Sequence, residues 1–207
     1  MTREIDQVKV VKKIVVYFDI CSSTSILEEL LRTEDQILWR NLIIGLKRYL
    51  TRKRSSVGFE LYKFLGDGWI LLFEPRLEGL EIFEFLEELS DEFSSLYKHR
   101  ISKVLAIQIS VVGLTFGMDI GSCIRVIMNQ KQEYIGRPLN VAGRLQGVVG
   151  QHGTSPENKG LVSKNLMAKF IDQKQIKRKY TVYSNVKRTL KNISGGEDFQ
   201  CLKVELK

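Results

Sequence analysis

The sequence predicts an α/β fold, an α+β sandwich in which helices pack on a mixed sheet, and it does so through three observations. Apolar runs of strand length, such as residues 15–18 and 69–73, are too short for helices. Longer amphipathic stretches, at residues 25–54 and 77–99, alternate with them along the chain. Across 207 residues there is no internal repeat and no low-complexity linker, and a hydrophobic content of 43% suffices to bury a sizeable core.

Taken in order, residues 13–20 read as a buried strand with Asp19 at its exit. A helical stretch covers 25–54, opened by a Ser-x-x-Glu capping signal at Ser25 and Glu28 and broken near Thr33. Residues 59–64 and 69–73 read as a hairpin joined by Leu65, Gly66, Asp67 and Gly68, with Asp-Gly at its tip. The acidic helix predicted over 77–99 carries Leu80, Phe83, Leu86 and Phe93 on its apolar side. Strands follow at 106–119 and 123–128. After Gly136 another helix starts, with Pro138 well placed in its first turn. Residues 151–160 are polar and contain glycine, hence a loop. A short helix over 163–170 and strands over 180–184 and 200–206 close the chain.

Composition narrows the function. No apolar stretch is long enough to span a bilayer, and residues 1–13 hold no signal-peptide apolar region, so a cytoplasmic protein without a membrane partner is expected. Cys21, Cys123 and Cys201 are odd in number and form no CxxC pair, which fits a reducing compartment and argues against zinc or a disulfide frame. The formal net charge is +8. Its excess lies mainly in runs such as Arg52, Lys53 and Arg54, or residues 174–179. These read as solvated and lack interleaved aromatics, so nucleic-acid binding is not expected. A basic field would equally draw in a nucleoside triphosphate.

The chemistry concentrates in three segments. Val15, Val16, Tyr17 and Phe18 lead straight into Asp19, and Asp67 tips the hairpin. Two carboxylates converging from a central strand and its hairpin make a hard, oxygen-only site suited to Mg²⁺ or Mn²⁺. Taken alone, Asp67 is a plain turn residue. The third segment runs from Glu133 to Gln146. If its helix begins at Pro138, Asn140 and Arg144 lie four residues apart and project from one face. An amide beside a guanidinium suits a charged, pentacoordinate phosphorus. The bland alternative is a solvated Asn and a salt-bridging Arg.

Together these segments resemble the class III nucleotide cyclases. Tyr17-Phe18-Asp19-Ile20-Cys21-Ser22-Ser23-Thr24 is similar to the family's first metal motif, and Lys63-Phe64-Leu65-Gly66-Asp67 running on to Phe73 to its second. Ile135-Gly136 through Asn140-Val141-Ala142-Gly143-Arg144-Leu145 is similar to its third. Order and spacing fit from about residue 13 to 150. Near the end, Thr189-Leu190-Lys191-Asn192-Ile193 resembles the Leu-Lys-Gly segment, with Asn192 in place of the usual Gly.

The resemblance implies a single catalytic domain over 1–207, built on a mainly antiparallel sheet, acting as a homodimer with active sites at the interface. One protomer would supply Asp19, the Ile20 carbonyl and Asp67 for two Mn²⁺ or Mg²⁺ ions per active site. The other would supply Lys63 and Glu133 to read the base, Asn140 to orient the ribose, Arg144 for the transition state and Lys191 for the triphosphate. The turn formed by Cys21, Ser22, Ser23 and Thr24, leading into a helix N-terminus, offers backbone N–H groups to phosphate oxygens.

For the base, Lys63 stands where adenylate cyclases keep a lysine, so GTP is disfavoured. Glu133 replaces the usual Asp or Thr and is followed by Tyr134. With Tyr62 beside Lys63, this extra bulk would shrink a purine pocket, unless Tyr62 and Tyr134 merely pack outside the site. The whole pattern looks most like the pyrimidine cyclases of bacterial Pycsar anti-phage systems. This implies that UTP is cyclised to cUMP and pyrophosphate, and that a separate effector protein reads the product. An adenylate cyclase making cAMP, or a cytidylate cyclase making cCMP, are the alternatives.

Overall fold

Alternation of side chains along β1 (Lys9–Ile20) divides the molecule into two layers. Ile14, Val16, Phe18 and Ile20 enter the larger apolar core on one face of the sheet, while Val15 enters a second cluster on the opposite face. The computed structural model describes residues 8–151, 155–193 and 197–206. Strands β2 (Phe59–Phe64) and β3 (Gly68–Phe73) form the expected hairpin, and β3 lies antiparallel on one side of β1. The long strand β4 (Leu114–Met128) lies antiparallel on the other side. With β5 (Lys131–Ile135), β6 (Lys159–Ser163), β7 (Thr181–Thr189) and β8 (Asp198–Glu205), the order is β2-β3-β1-β4-β6-β8-β7, and β5 pairs with β4. Among the described residues only the β4–β6 pair is parallel. The sheet is therefore mixed and mainly antiparallel, as expected.

Helices α1 (Ser23–Arg32), α2 (Gln36–Val57) and α3 (Gly79–Arg100) bury their apolar sides in the larger core. The short helices α5 (Lys164–Met167) and α6 (Gln173–Lys179) add Leu166, Met167 and Ile176 to it. Helix α4 (Arg137–Gln146) covers the other face, where Leu139 and Ala142 meet Val15, Ile70 and Leu72.

Several sequence expectations need correction. The strand expected over 106–119 begins only at Leu114, and it runs on through 120–122 to Met128 without a break. The helix expected to start at Ser25 starts at Ser23. Ser22 is its N-cap in a left-handed conformation, and the Ser22 hydroxyl bonds the Val111 carbonyl instead of capping. The break at Thr33 is where the sequence put it. The helix expected over 163–170 shrinks to α5, and β6 occupies part of the loop expected over 151–160, whose residues 152–154 lie outside the described residues. Residues 1–7 of the leading stretch lie outside them too. The basic runs are not simply solvated. Lys53 pairs with Glu88 at 2.6 Å, and Lys179 sits 3.1 Å from Glu84 and 3.3 Å from Glu87. No helix among the described residues is long and apolar enough to cross a membrane.

Candidate active site

Asp19 leaves the sheet at the end of β1, paired in register with Gly68 on β3 and with Thr115 on β4. Gly68 brings the hairpin tip this close. A Cβ there would stand 2.0 Å from the Phe18 carbonyl oxygen and 3.0 Å from the Asp19 carboxylate, so no other residue fits without opening the strands. Asp67, one residue earlier, thereby meets Asp19 side chain to side chain. Burial, then hydrogen bonding to Asp67 and its charge, push Asp19 up to about 7, against the pull of the Ile20 N–H and the Gln146 side chain. The Ser23 hydroxyl donates to Asp67 at 2.5 Å.

Asp19 and the turn after it line an open pocket of about 530 Å³, together with Ile20, Thr115 and Gln146. Cys21, Ser22, Ser23 and Thr24 all line it. Their side chains are otherwise engaged, except at exposed Thr24. Burial pushes the Cys21 thiol up to about 12, Ser22 bonds Val111, and Ser23 bonds Asp67. What the turn offers an anion is backbone. Cys21 N–H is spent on the Gly113 carbonyl, but the first-turn N–H groups of α1 have no partner within the helix.

The remaining expected residues lie elsewhere. Tyr17, Tyr62, Lys63, Tyr134 and Asn140 line a second pocket of about 240 Å³, which shares no lining residue with the first. At its edge Glu133 accepts a hydrogen bond from the Tyr62 hydroxyl at 2.5 Å, with the Lys63 ammonium 3.4 Å away. The Tyr62 hydrogen bond, with Lys63 behind it, holds the Glu133 carboxyl below the usual carboxylate range, while burial and Glu133 push Tyr62 up to about 12. The same Tyr62 oxygen accepts the Tyr134 N–H at 3.0 Å, and the two rings meet edge to face at 5.3 Å. Tyr62 and Tyr134 thus wall this pocket.

Asn140 and Arg144 share one exposed face of α4, as their spacing predicted, and neither has a polar partner among the described residues. Lys191 is exposed in the turn after β7 and lines neither pocket. Sequence reasoning missed Gln146 and Thr115. The Gln146 amide donates to the Thr115 hydroxyl at 2.9 Å, and Thr115 reaches the Asp19 carbonyl at 3.4 Å. Gln146 ended the third segment, one residue past its motif, and its offset of four from Ala142 marks it as facing the sheet.

The donor set fits a divalent cation. Two adjacent carboxylates, one of them pushed up by burial and then by the other, are what a bound cation would relieve, and all the donors are hard oxygens. Among the described residues no group of three acidic, His or Cys side chains adds to them.

No family model matches the sequence, and no curated protein matches it. Solved structures do resemble the fold. The adenylyl cyclase CyaB from P. aeruginosa aligns with a TM-score of 0.70 and 18% identity, covering 97% of both chains. A bacterial light-regulated adenylyl cyclase aligns at 0.68 and 21% identity over 96% of this chain and 52% of its own, so the present chain spans about half its length. A guanylyl cyclase aligns at 0.68 and 13% identity, covering 97% and 95%. The fold is that of class III cyclase catalytic domains.

Proposed function

We propose that this chain is a nucleotide cyclase that closes a ribonucleoside triphosphate to its 3′,5′-cyclic nucleotide, with UTP as the favoured substrate. The observation that carries the reading is the division of one chain into two complementary half-sites. Asp19, with Asp67 against it, lines one pocket beside a helix N-terminus, while the Asn140 amide and a Lys–Glu–Tyr cluster lie at another, with the exposed Arg144 guanidinium one helical turn from the amide. Neither half is complete alone. Two copies related by a two-fold axis would join each half to its complement. Val10, Ile124 and Ile135, in register across β1, β4 and β5, are 64%, 40% and 56% exposed beside the second pocket and suit burial against a second copy.

Asp19, Asp67 and the Ile20 carbonyl would hold two Mg²⁺ or Mn²⁺ ions. When bound, such ions acidify the ribose 3′-hydroxyl and neutralise phosphate charge. The chain's own residues do the rest. Asn140 donates to the ribose and fixes the 3′-oxygen in line with the α-phosphorus. Arg144 places its guanidinium against the charge that grows on the phosphoryl oxygens as pyrophosphate leaves. N–H groups of the first turn of α1 receive phosphate oxygens, and Lys191 would close over the triphosphate from the other protomer.

Base choice follows from the polar cluster. Glu133, kept ionised by Tyr62 and Lys63, accepts from uracil N3–H, and Lys63 donates to a uracil carbonyl. Cytosine would set its N3 acceptor against the carboxylate, leaving buried polar groups unpaired. The aromatic walls of Tyr17, Tyr62 and Tyr134 leave less room for a second ring. The product would be cUMP, a second messenger acting on a separate effector in anti-phage defence. Incubation with each of the four ribonucleoside triphosphates and Mn²⁺, with products identified by mass, tests the proposal. UTP turnover should exceed the others. Mainly cyclic AMP or cyclic CMP would overturn the base assignment, and no cyclic product at all the activity.

A further inference from the structure

The geometry points to Gln146 as a positioning residue for Asp19, through which α4 sets the cation affinity of the acidic pair. This rests on the two-carboxylate reading proposed above. The Ser23 hydroxyl grips Asp67 at 2.5 Å, and the Gln146 side chain lines the same pocket as Asp19. The Gln146 amide carries two N–H bonds. One goes to the Thr115 hydroxyl at 2.9 Å, which leaves the other to face the pocket that Asp19 lines. Thr115 in turn reaches the Asp19 carbonyl at 3.4 Å and sits opposite Asp19 in the β1–β4 ladder. Gln146, the neighbouring strand and the Asp19 backbone are therefore tied into one chain of hydrogen bonds that starts from α4.

The tether comes from a helix with almost no freedom. At Gly117 a Cβ would stand 2.1 Å from the Ala142 carbonyl and 2.3 Å from the Gln146 N, so the last turn of α4 rests directly on β4. Gln146 is the one α4 residue among those lining the Asp19 pocket. An amide is the right group here. It can donate to the carboxylate without adding charge, and it leaves the remaining lone pairs to a cation.

The test uses the full chain, Mn²⁺ alone as the first probe, and the variants Gln146→Ala and Thr115→Val. Gln146 is only partly buried at the end of α4, so its truncation should leave the melting temperature in EDTA within about 2 °C of the parent. The Mn²⁺ concentration at half of the metal-induced rise in melting temperature should increase about tenfold or more in Gln146→Ala. It should increase less in Thr115→Val, which leaves the amide in place but unanchored. Turnover at saturating Mn²⁺ should recover to within about threefold, as expected when only the positioning of a ligand is lost. An unchanged Mn²⁺ midpoint in Gln146→Ala would overturn the inference, as would a parent protein that shows no Mn²⁺-induced rise. A parent that binds Mn²⁺ but forms no cyclic product would overturn the cyclase reading and leave the Gln146 assignment standing.

Discussion

At Asp19 the fold presses one carboxylate against another, an arrangement that costs stability unless a proton or a cation neutralises it. Asp19→Ala and Asp67→Ala should therefore melt no lower than the parent in EDTA, lose the Mn²⁺-induced rise, and turn over at least about a hundredfold more slowly. Near-parental activity with Mn²⁺ in either variant would sink the cation assignment. Asp119 is a second buried carboxylate, 2% exposed, and burial pushes its pKa up against the Ser163 hydroxyl, the Ile120 N–H and the nearby Arg137. A carboxyl whose folded pKa exceeds its unfolded value stabilises fully below the unfolded pKa and loses that contribution as pH rises through the folded one. Asp119→Asn should raise the melting temperature at pH 7 by roughly 2–5 °C, with the gain vanishing near pH 4, as thermal melts across pH would record. Asp19 and Asp67 were legible in the sequence because each ends or joins apolar runs. Gln146 was not, since its partner Thr115 is 31 positions away, nor was Asp172, which accepts from the Leu80 N–H at the start of α3 across 92 positions.

The β2–β3 hairpin shows what an element contributes beyond its residues. Its Asp-Gly tip was readable, but the close approach enforced at Gly68 was not. Gly68→Ala should push the hairpin off β1, separate Asp67 from Asp19, and cut turnover more than it cuts stability. Kinetics and melts on one preparation check this, and equal losses would show that the hairpin matters only for folding. Strand β5 escaped sequence reading for a local reason. Its two-residue turn is Asn129-Gln130, both with positive φ, so the hairpin forms without the glycine that usually announces it. Strand β6 escaped because its apolar run is only Leu161 and Val162, too short to stand out from a loop. Strand β4 was divided in the reading because Gly121 looks like a breaker, although the ladder to β1 runs straight through it.

For the molecule as a whole, alternating helix and strand patterns disclosed the sandwich, whereas the strand order could not be read because it depends on which distant strands pair. The β4–β6 pair is the clearest case, made parallel by a crossover through β5 and α4. Assembly yields the most direct prediction. If the half-sites belong to opposite protomers, mixing inactive Asp19→Ala with inactive Arg144→Ala leaves one intact centre in each mixed dimer. Equal mixing with full subunit exchange should restore about a quarter of parental activity. No recovery after exchange would count against shared centres.

The seat of α4 on Gly117 has a thermal consequence. With backbone against backbone there, this helix has no loosened state short of leaving the sheet, and leaving exposes Val141, Ala142 and Leu145 together. Asn140 and Arg144 thus ride on a part that either holds or falls with the whole. On warming, catalytic failure and the loss of near-ultraviolet circular dichroism should trace the same curve, with no interval in which a folded protein has gone silent.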